Sequence, residues 1–224
     1  MAVAPSRAPA IAAGSERERI GFKDRAANLR HLGGNILLAC AFFAAAYPNI
    51  RHYGTGVANA IWAGGAIIMG AVSLIRVPPR NAMLDVRAFA STAGMFTVPC
   101  LMRPAATAAG AVLGVALALE ISGLMLSEAA RIYMGRSFGV LPANRGIVSR
   151  GPFRVVRHPV YLGWFILSAG FALAYPSARN FAFLAITLPF MFWRIRLEEE
   201  LLAHDWEYRL YRAKVRYRLI PGLI

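Results

Sequence analysis

Two short segments of this chain carry residue types that could do chemistry. One is Arg157-His158-Pro159-Val160-Tyr161-Leu162-Gly163, and the other is Arg194-Ile195-Arg196-Leu197 followed by the carboxylates Glu198, Glu199 and Glu200. Proline is favoured in the first turn of a helix, where a missing N–H costs nothing. His158 therefore stands at a helix start, with Tyr161 and Gly163 in the first turn and a half. An imidazole so placed could hydrogen-bond a ribose hydroxyl or a reacting nucleophile, or it could merely cap the helix. The three carboxylates point around a helix in steps of about 100°. A single Arg194–Glu198 pair on a helix surface contributes only about 0.2–0.5 kcal/mol, so stability does not account for three of them. At least one can turn back to hold a cation, or the hydroxyls and amino group of a nucleotide-like ligand. The plain alternative is a solvated helix end.

The commoner catalytic patterns are absent from the sequence. No Gly-x-Gly-x-x-Gly follows a strand, there is no Walker sequence or Gly-x-Ser-x-Gly elbow, and no His/Cys cluster has metal-ligand spacing. No metal is expected. A cofactor-dependent group transfer to a lipid-soluble acceptor fits a polar mouth backed by apolar helices.

Those helices are legible in the composition. Of 224 residues, 58% are hydrophobic and only 16% charged, against roughly 25% charged in soluble domains. The mean hydropathy is +0.49. A soluble globular domain and a disordered chain are both excluded. The 25 Lys and Arg outnumber the 11 Asp and Glu, but they alternate with long apolar runs, which argues for membrane lipids and against nucleic acid as the partner. Cys40 and Cys100 lie inside apolar runs and imply no disulfide framework.

Apolar stretches at 34–47, 57–75, 88–102, 105–126, 159–175 and 180–193 predict an all-α polytopic protein with about six transmembrane helices. With six spans, 22 of the basic residues fall on one side and only Arg51, Arg103 and Arg179 on the other. The positive-inside rule then places both termini in the cytoplasm. The stretch 88–102, with Ser91, Thr92, Thr97 and Pro99, is the shortest-reaching of the six. Residues 1–33 form a basic tail with no cleaved signal. Within it, Phe22, Arg25, Leu29 and Arg30 could make a short surface helix or stay a loose tail.

The turn Ala174-Tyr175-Pro176-Ser177 joins the last two stretches as a tight hairpin. That hairpin brings segments 136–163 and 194–222 to one membrane face. Glu120 sits deep in the fourth stretch, where an ionisable group is costly. It either lines a substrate cleft or is hydrogen-bonded between helices. The Gly and Ala residues of 105–118 allow close helix contact.

The run Gly151-Pro-Phe-Arg-Val-Val-Arg-His-Pro-Val-Tyr-Leu-Gly163, then Arg194-Ile-Arg-Leu-Glu-Glu199, then Tyr208-x-x-Tyr211 and a closing Ile-Pro-Gly, resembles a known superfamily. It is that of the isoprenylcysteine carboxyl methyltransferases and phospholipid N-methyltransferases, most closely their bacterial members. The resemblance covers about residues 105–224, a methyltransferase core following N-terminal helices over 34–104. It implies S-adenosylmethionine bound in a cytoplasmic pocket built at the C-terminal helical hairpin. On the family pattern His158, Tyr161 and Gly163 would line the cofactor, and Glu198 and Glu199 would supply carboxylates. Arg157, Leu141 and Val148 would complete the wall, with Tyr208 and Tyr211 closing it. Glu120 and Arg194 fall to the substrate side. The acceptor would be a lipid amine or a lipophilic thiol or carboxylate entering from the bilayer, with no obligate protein partner; a bacterial source would place the chain in the inner membrane.

The sequence departs from the family at three points. The further polar residues with which the eukaryotic prenylcysteine enzymes read a substrate carboxylate have no counterpart that can be placed here. Phe153 stands where a tyrosine is common, and Asp205-Trp206 where many members have Phe-Gly. Two other readings compete. NADPH-dependent sterol reductases also look similar near Arg-His-Pro-x-Tyr-x-Gly and close with a sequence like Tyr217-Arg-Leu-Ile-Pro221, although they are longer and lack the Glu-Glu. A non-enzymatic scaffold holding anionic lipid on its basic loops would explain the charge split alone.

Overall fold

The computed structural model describes residues 57–75, 78–137, 139 and 141–222, and much of 32–47. The basic tail and its surface helix lie outside the described residues. A short apolar helix α1 covers Leu32–Ala44. It is followed by α2 (Val57–Leu74), α3 (Val86–Cys100), α4 (Gly110–Met134), α5 (Pro159–Ala174), α6 (Ala178–Leu202) and α7 (Trp206–Lys214). Two-residue strands, β1 (Asn81–Ala82) and β2 (Ala143–Asn144), pair antiparallel with Asn81 opposite Asn144. The fold is therefore almost wholly helical.

Local chemistry sets the helix ends. Asp85 caps α3 by accepting from Ala88 N at 2.9 Å. Ser177 caps α6 through Asn180 N at 3.2 Å, and Asp205 caps α7 through Glu207 N at 2.9 Å. Helix α4 ends at Gly135, whose φ of 55° is left-handed. Helix α6 runs on well past its apolar part, so Arg194 and Glu198–Glu200 all lie on helix.

The seam between α4 and α5 is made of small residues. The buried positions of α4 include Ala116, Glu120, Gly123, Ser127 and Ala130, a 4-3-4-3 stripe. A Cβ at Gly163 would sit 2.6 Å from the Gly123 carbonyl oxygen and from Ser127 N, and one at Gly170 would sit 2.7 Å from the Ala116 carbonyl oxygen. As the α5 numbers rise the α4 numbers fall, so the two helices are antiparallel. Only one residue of this seam, Ala116, belongs to the Gly/Ala run 105–118. The outward face of α4 carries Val112, Val115, Ile121 and Met125, all exposed. Small and polar groups inside with branched apolar groups outside is the pattern suited to a lipid solvent, and the reverse of a water-soluble helix. Among the described residues α4 alone is both long and apolar enough to cross a membrane. Helices Leu32–Ala44, Ala60–Leu74 and Pro159–Ala174 are apolar but shorter.

The seam makes a stability prediction. Alanine at Gly123 would place a Cβ 2.6 Å from the Gly163 carbonyl oxygen, and backbone cannot yield as a flexible side chain can. Overpacking of this kind costs about 1–3 kcal/mol, enough to outweigh the better helix propensity of alanine. Gly123→Ala should lower the thermal unfolding midpoint in detergent. An unchanged or raised midpoint would contradict the close approach.

The hairpin is fixed at its turn by Asn180. Its amide donates to Arg103 O at 2.9 Å and Tyr175 O at 2.8 Å and accepts from Arg103 N at 3.1 Å. At the opposite end, the C terminus of α4, the N terminus of α5 and the C terminus of α6 come together.

Candidate cofactor pocket

That meeting of helix ends is where the unusual residues gather. His158 is the N-cap residue of α5, but its side chain does not cap. Its Nε2 instead lies 3.3 Å from Glu199 Oε1. The same carboxylate oxygen accepts from Arg157 Nε at 2.7 Å, while Oε2 accepts from Arg218 Nε at 2.9 Å. Arg157 Nη1 also donates to Val215 O at 2.8 Å and Arg216 O at 2.6 Å. The backbone follows suit: Arg157 N donates to Tyr217 O and His158 N to Arg218 O, each at 2.9 Å. The C-terminal segment is thus strapped across the start of α5. Burial alone would raise the Glu199 carboxyl, but the hydrogen bonds from His158, Arg157 and Arg218 outweigh it and hold the group well below the ordinary carboxylate range.

Beside this cluster is a cavity. One wall comes from the α5 start, with Arg157, His158 and Tyr161; a second from α6, with Glu198 and Leu202. Helix α7 contributes Tyr208 and Tyr211, and the loop after α4 contributes Arg145, Ile147 and Val148. Tyr161 donates its hydroxyl to Glu198 Oε2 at 2.5 Å, and Arg194 Nη1 is 3.9 Å from the same oxygen. Tyr211 donates to Phe153 O at 2.7 Å, closing the aromatic side. The buried Tyr208 hydroxyl makes no hydrogen bond of standard geometry, although Glu199 acts on it electrostatically and through a looser contact. Burial is the main cause that raises both tyrosine hydroxyls above their usual range, so they remain protonated donors.

The three carboxylates have separate fates. Glu198 faces the cavity, Glu199 is buried in the cation cluster behind it, and Glu200 is exposed. Of the other residues singled out from sequence, Gly163 does not line the cavity but abuts Gly123 and Ser127 of α4. Leu141 is not in the lining either, whereas Val148 is. Arg194 is fully buried behind Glu198. Glu120 is fully buried against Gly170; it lies fourteen residues, or about 21 Å along the α4 axis, from the lining residue Met134. Arg145 and Leu202 line the cavity without having been singled out, and Phe153, noted only as a departure from the family pattern, lines it too. Arg145 carries no motif signal, because the antiparallel bridge to Asn81 that places it cannot be read from local sequence.

The residues fit an adenosyl-type cofactor. A carboxylate-bearing residue on one wall, buried tyrosines and a mixed aromatic and apolar lining are what a nucleoside with a charged tail requires. Among the described residues no group of three or more His, Cys, Asp or Glu could hold a metal.

Fold and site together define a helical membrane protein with a cavity at one end of its bundle. Residues 105–209 match the PEMT family model, phospholipid methyltransferase. The matched residues, a little under half of the chain, lie within the stretch whose motifs resemble the isoprenylcysteine carboxyl methyltransferase and phospholipid methyltransferase superfamily, and the match supports that resemblance. A solved structure of a eukaryotic intramembrane Ras methyltransferase, ICMT (isoprenylcysteine carboxyl methyltransferase), is similar over 86% of this chain and 74% of that one, at 20% identity and a TM-score of 0.46. No curated protein matches the chain.

Proposed function

We propose that this protein transfers a methyl group from S-adenosylmethionine to a lipophilic acceptor at the membrane. The observation that carries the reading is the convergence of His158, Tyr161, Glu198 and Tyr208 on one cavity, from two segments separated by a helical hairpin and within the family match. Bound S-adenosylmethionine supplies a methyl on an activated sulfonium, which needs no protein nucleophile. The work left to the chain is orientation and exclusion of water. Glu198 holds hydroxyl or ammonium groups, with Tyr161 fixing its carboxylate. Tyr208 offers its hydroxyl, and Phe153, Val148 and Leu202 form a dry wall for the base. Arg157 and His158 are held rigid by Glu199, so the pocket edge keeps its shape before ligand arrives.

The chain is read as six-spanning, with both termini and the pocket in the cytoplasm, on the 22-to-3 charge split. The acceptor enters sideways from the bilayer, as a lipid amine or a lipophilic thiol or carboxylate.

The test is calorimetric titration of detergent-purified protein with S-adenosylhomocysteine, with NADPH as control. Saturable binding of S-adenosylhomocysteine and none of NADPH is the expected result. NADPH binding alone would replace methyl transfer by reduction, and binding of neither by a folded sample would remove the enzyme reading.

A further inference from the structure

The cavity contains a basic residue that the motif pattern does not assign. Arg145 belongs to the loop between α4 and α5, and that loop is built to hold it. Asn144 pairs with Asn81 across the antiparallel bridge and donates its side-chain amide to Asp205 Oδ2 at 2.9 Å. Its own side-chain oxygen accepts from Gly146 N at 2.9 Å, where a φ of 101° turns the chain. Ser137 donates to the Arg145 carbonyl at 3.1 Å. The Arg145 guanidinium then lies directly over Gly139, so closely that any Cβ at 139 would overlap it. Both Gly139 and Arg145 line the cavity.

The charges of the pocket are therefore arranged by element. Glu198 of α6 and Arg145 of the loop both line the cavity, with the Arg145 guanidinium against Gly139. A ligand meeting both carries a cation or hydroxyls toward one wall and an anion toward the other. Guanidinium is the side chain best shaped to take a carboxylate by two parallel hydrogen bonds.

We propose that Arg145, seated over Gly139, binds the α-carboxylate of the amino-acid end of the cofactor. This rests on the cofactor reading above, and the test separates the two. The probes are S-adenosylhomocysteine and S-adenosyl-3-thiopropylamine, the same molecule without its carboxylate. The wild-type protein should bind S-adenosylhomocysteine more tightly. Arg145→Met should weaken it at least tenfold, to the level of the decarboxylated probe, whose own affinity should stay within twofold; that retained binding also reports an intact fold. Gly139→Val, which keeps the arginine but displaces its head, should give the same selective loss. Parallel loss of both probes would make Arg145 a structural residue and overturn the assignment. Unchanged S-adenosylhomocysteine binding would overturn it as well; a rise in the acceptor KM alone would then assign the arginine to an acceptor anion. Binding of neither probe by folded wild-type protein would sink the cofactor reading itself, and this assignment with it.

Discussion

Alanine at Glu199 is expected to cost about 3–5 kcal/mol of stability, the largest single loss in the described structure. Removing one member of a buried ion cluster leaves the others uncompensated, and costs of that size follow. Here the carboxylate is 4% exposed and Arg157 7%, so water cannot readily replace what is lost. Glu199 also ties the C-terminal segment to the start of α5 through Arg218. Glu199→Ala should therefore lower the thermal unfolding midpoint sharply in detergent, and expose residues 215–219 to proteolysis. A midpoint within a degree or two of the wild type would contradict the cluster. The same group makes a pH prediction. Its carboxyl is lowered in the folded state, so its contribution is complete above the unfolded carboxylate value, near pH 4.3. It falls away as the pH drops below that value toward the lowered folded one. Asp85 and Asp205 are lowered too, by their caps and hydrogen bonds. The measurement is therefore the difference between wild type and Glu199→Gln: the gap between their midpoints should be wide at pH 7 and narrow as the pH falls below about 4.

The split between Glu198 and Glu199 also shows what the sequence could and could not convey. The helix-forming stretches, the Pro176-Ser177 turn and the meeting of segments 136–163 and 194–222 are written in local signals: apolar runs, a proline at N1 and a capping serine. Adjacent carboxylates on one helix carry no such label. Which of them faces the cavity depends on how α6 is rotated against α5, and that is set by distant packing such as Phe190 over Gly94 and Asn180 at the hairpin turn. Gly163 illustrates the same limit. A glycine inside a ligand-binding motif reads as room for a ligand, yet its missing side chain makes room for the Gly123 backbone. Arg145 is the converse case, a functional candidate hidden in a loop whose course is decided by a bridge sixty-odd residues away.

Glu198→Gln is expected to separate binding from folding in the opposite sense. Glu198 is the carboxylate on the cavity wall, accepting from Tyr161 at 2.5 Å, with Arg194 3.9 Å away. Glutamine preserves size and an acceptor for the Tyr161 hydroxyl but removes the charge. Hydrogen bonds to charged groups are worth about 1.5–3 kcal/mol, so S-adenosylhomocysteine affinity should fall between roughly tenfold and a hundredfold. Stability should change far less than in Glu199→Ala, because its side chain is 21% exposed and water can take part of the carboxylate's role. The pair of variants therefore forms a cross: 198 loses ligand and keeps its fold, 199 loses fold and takes ligand binding down with it. An unchanged affinity in Glu198→Gln would mean its charge does not hold the ligand. Equal damage at both positions would mean the two carboxylates share one role. The rotation of α6 that sends one to the cavity and the other to the arginines would then have to be redrawn.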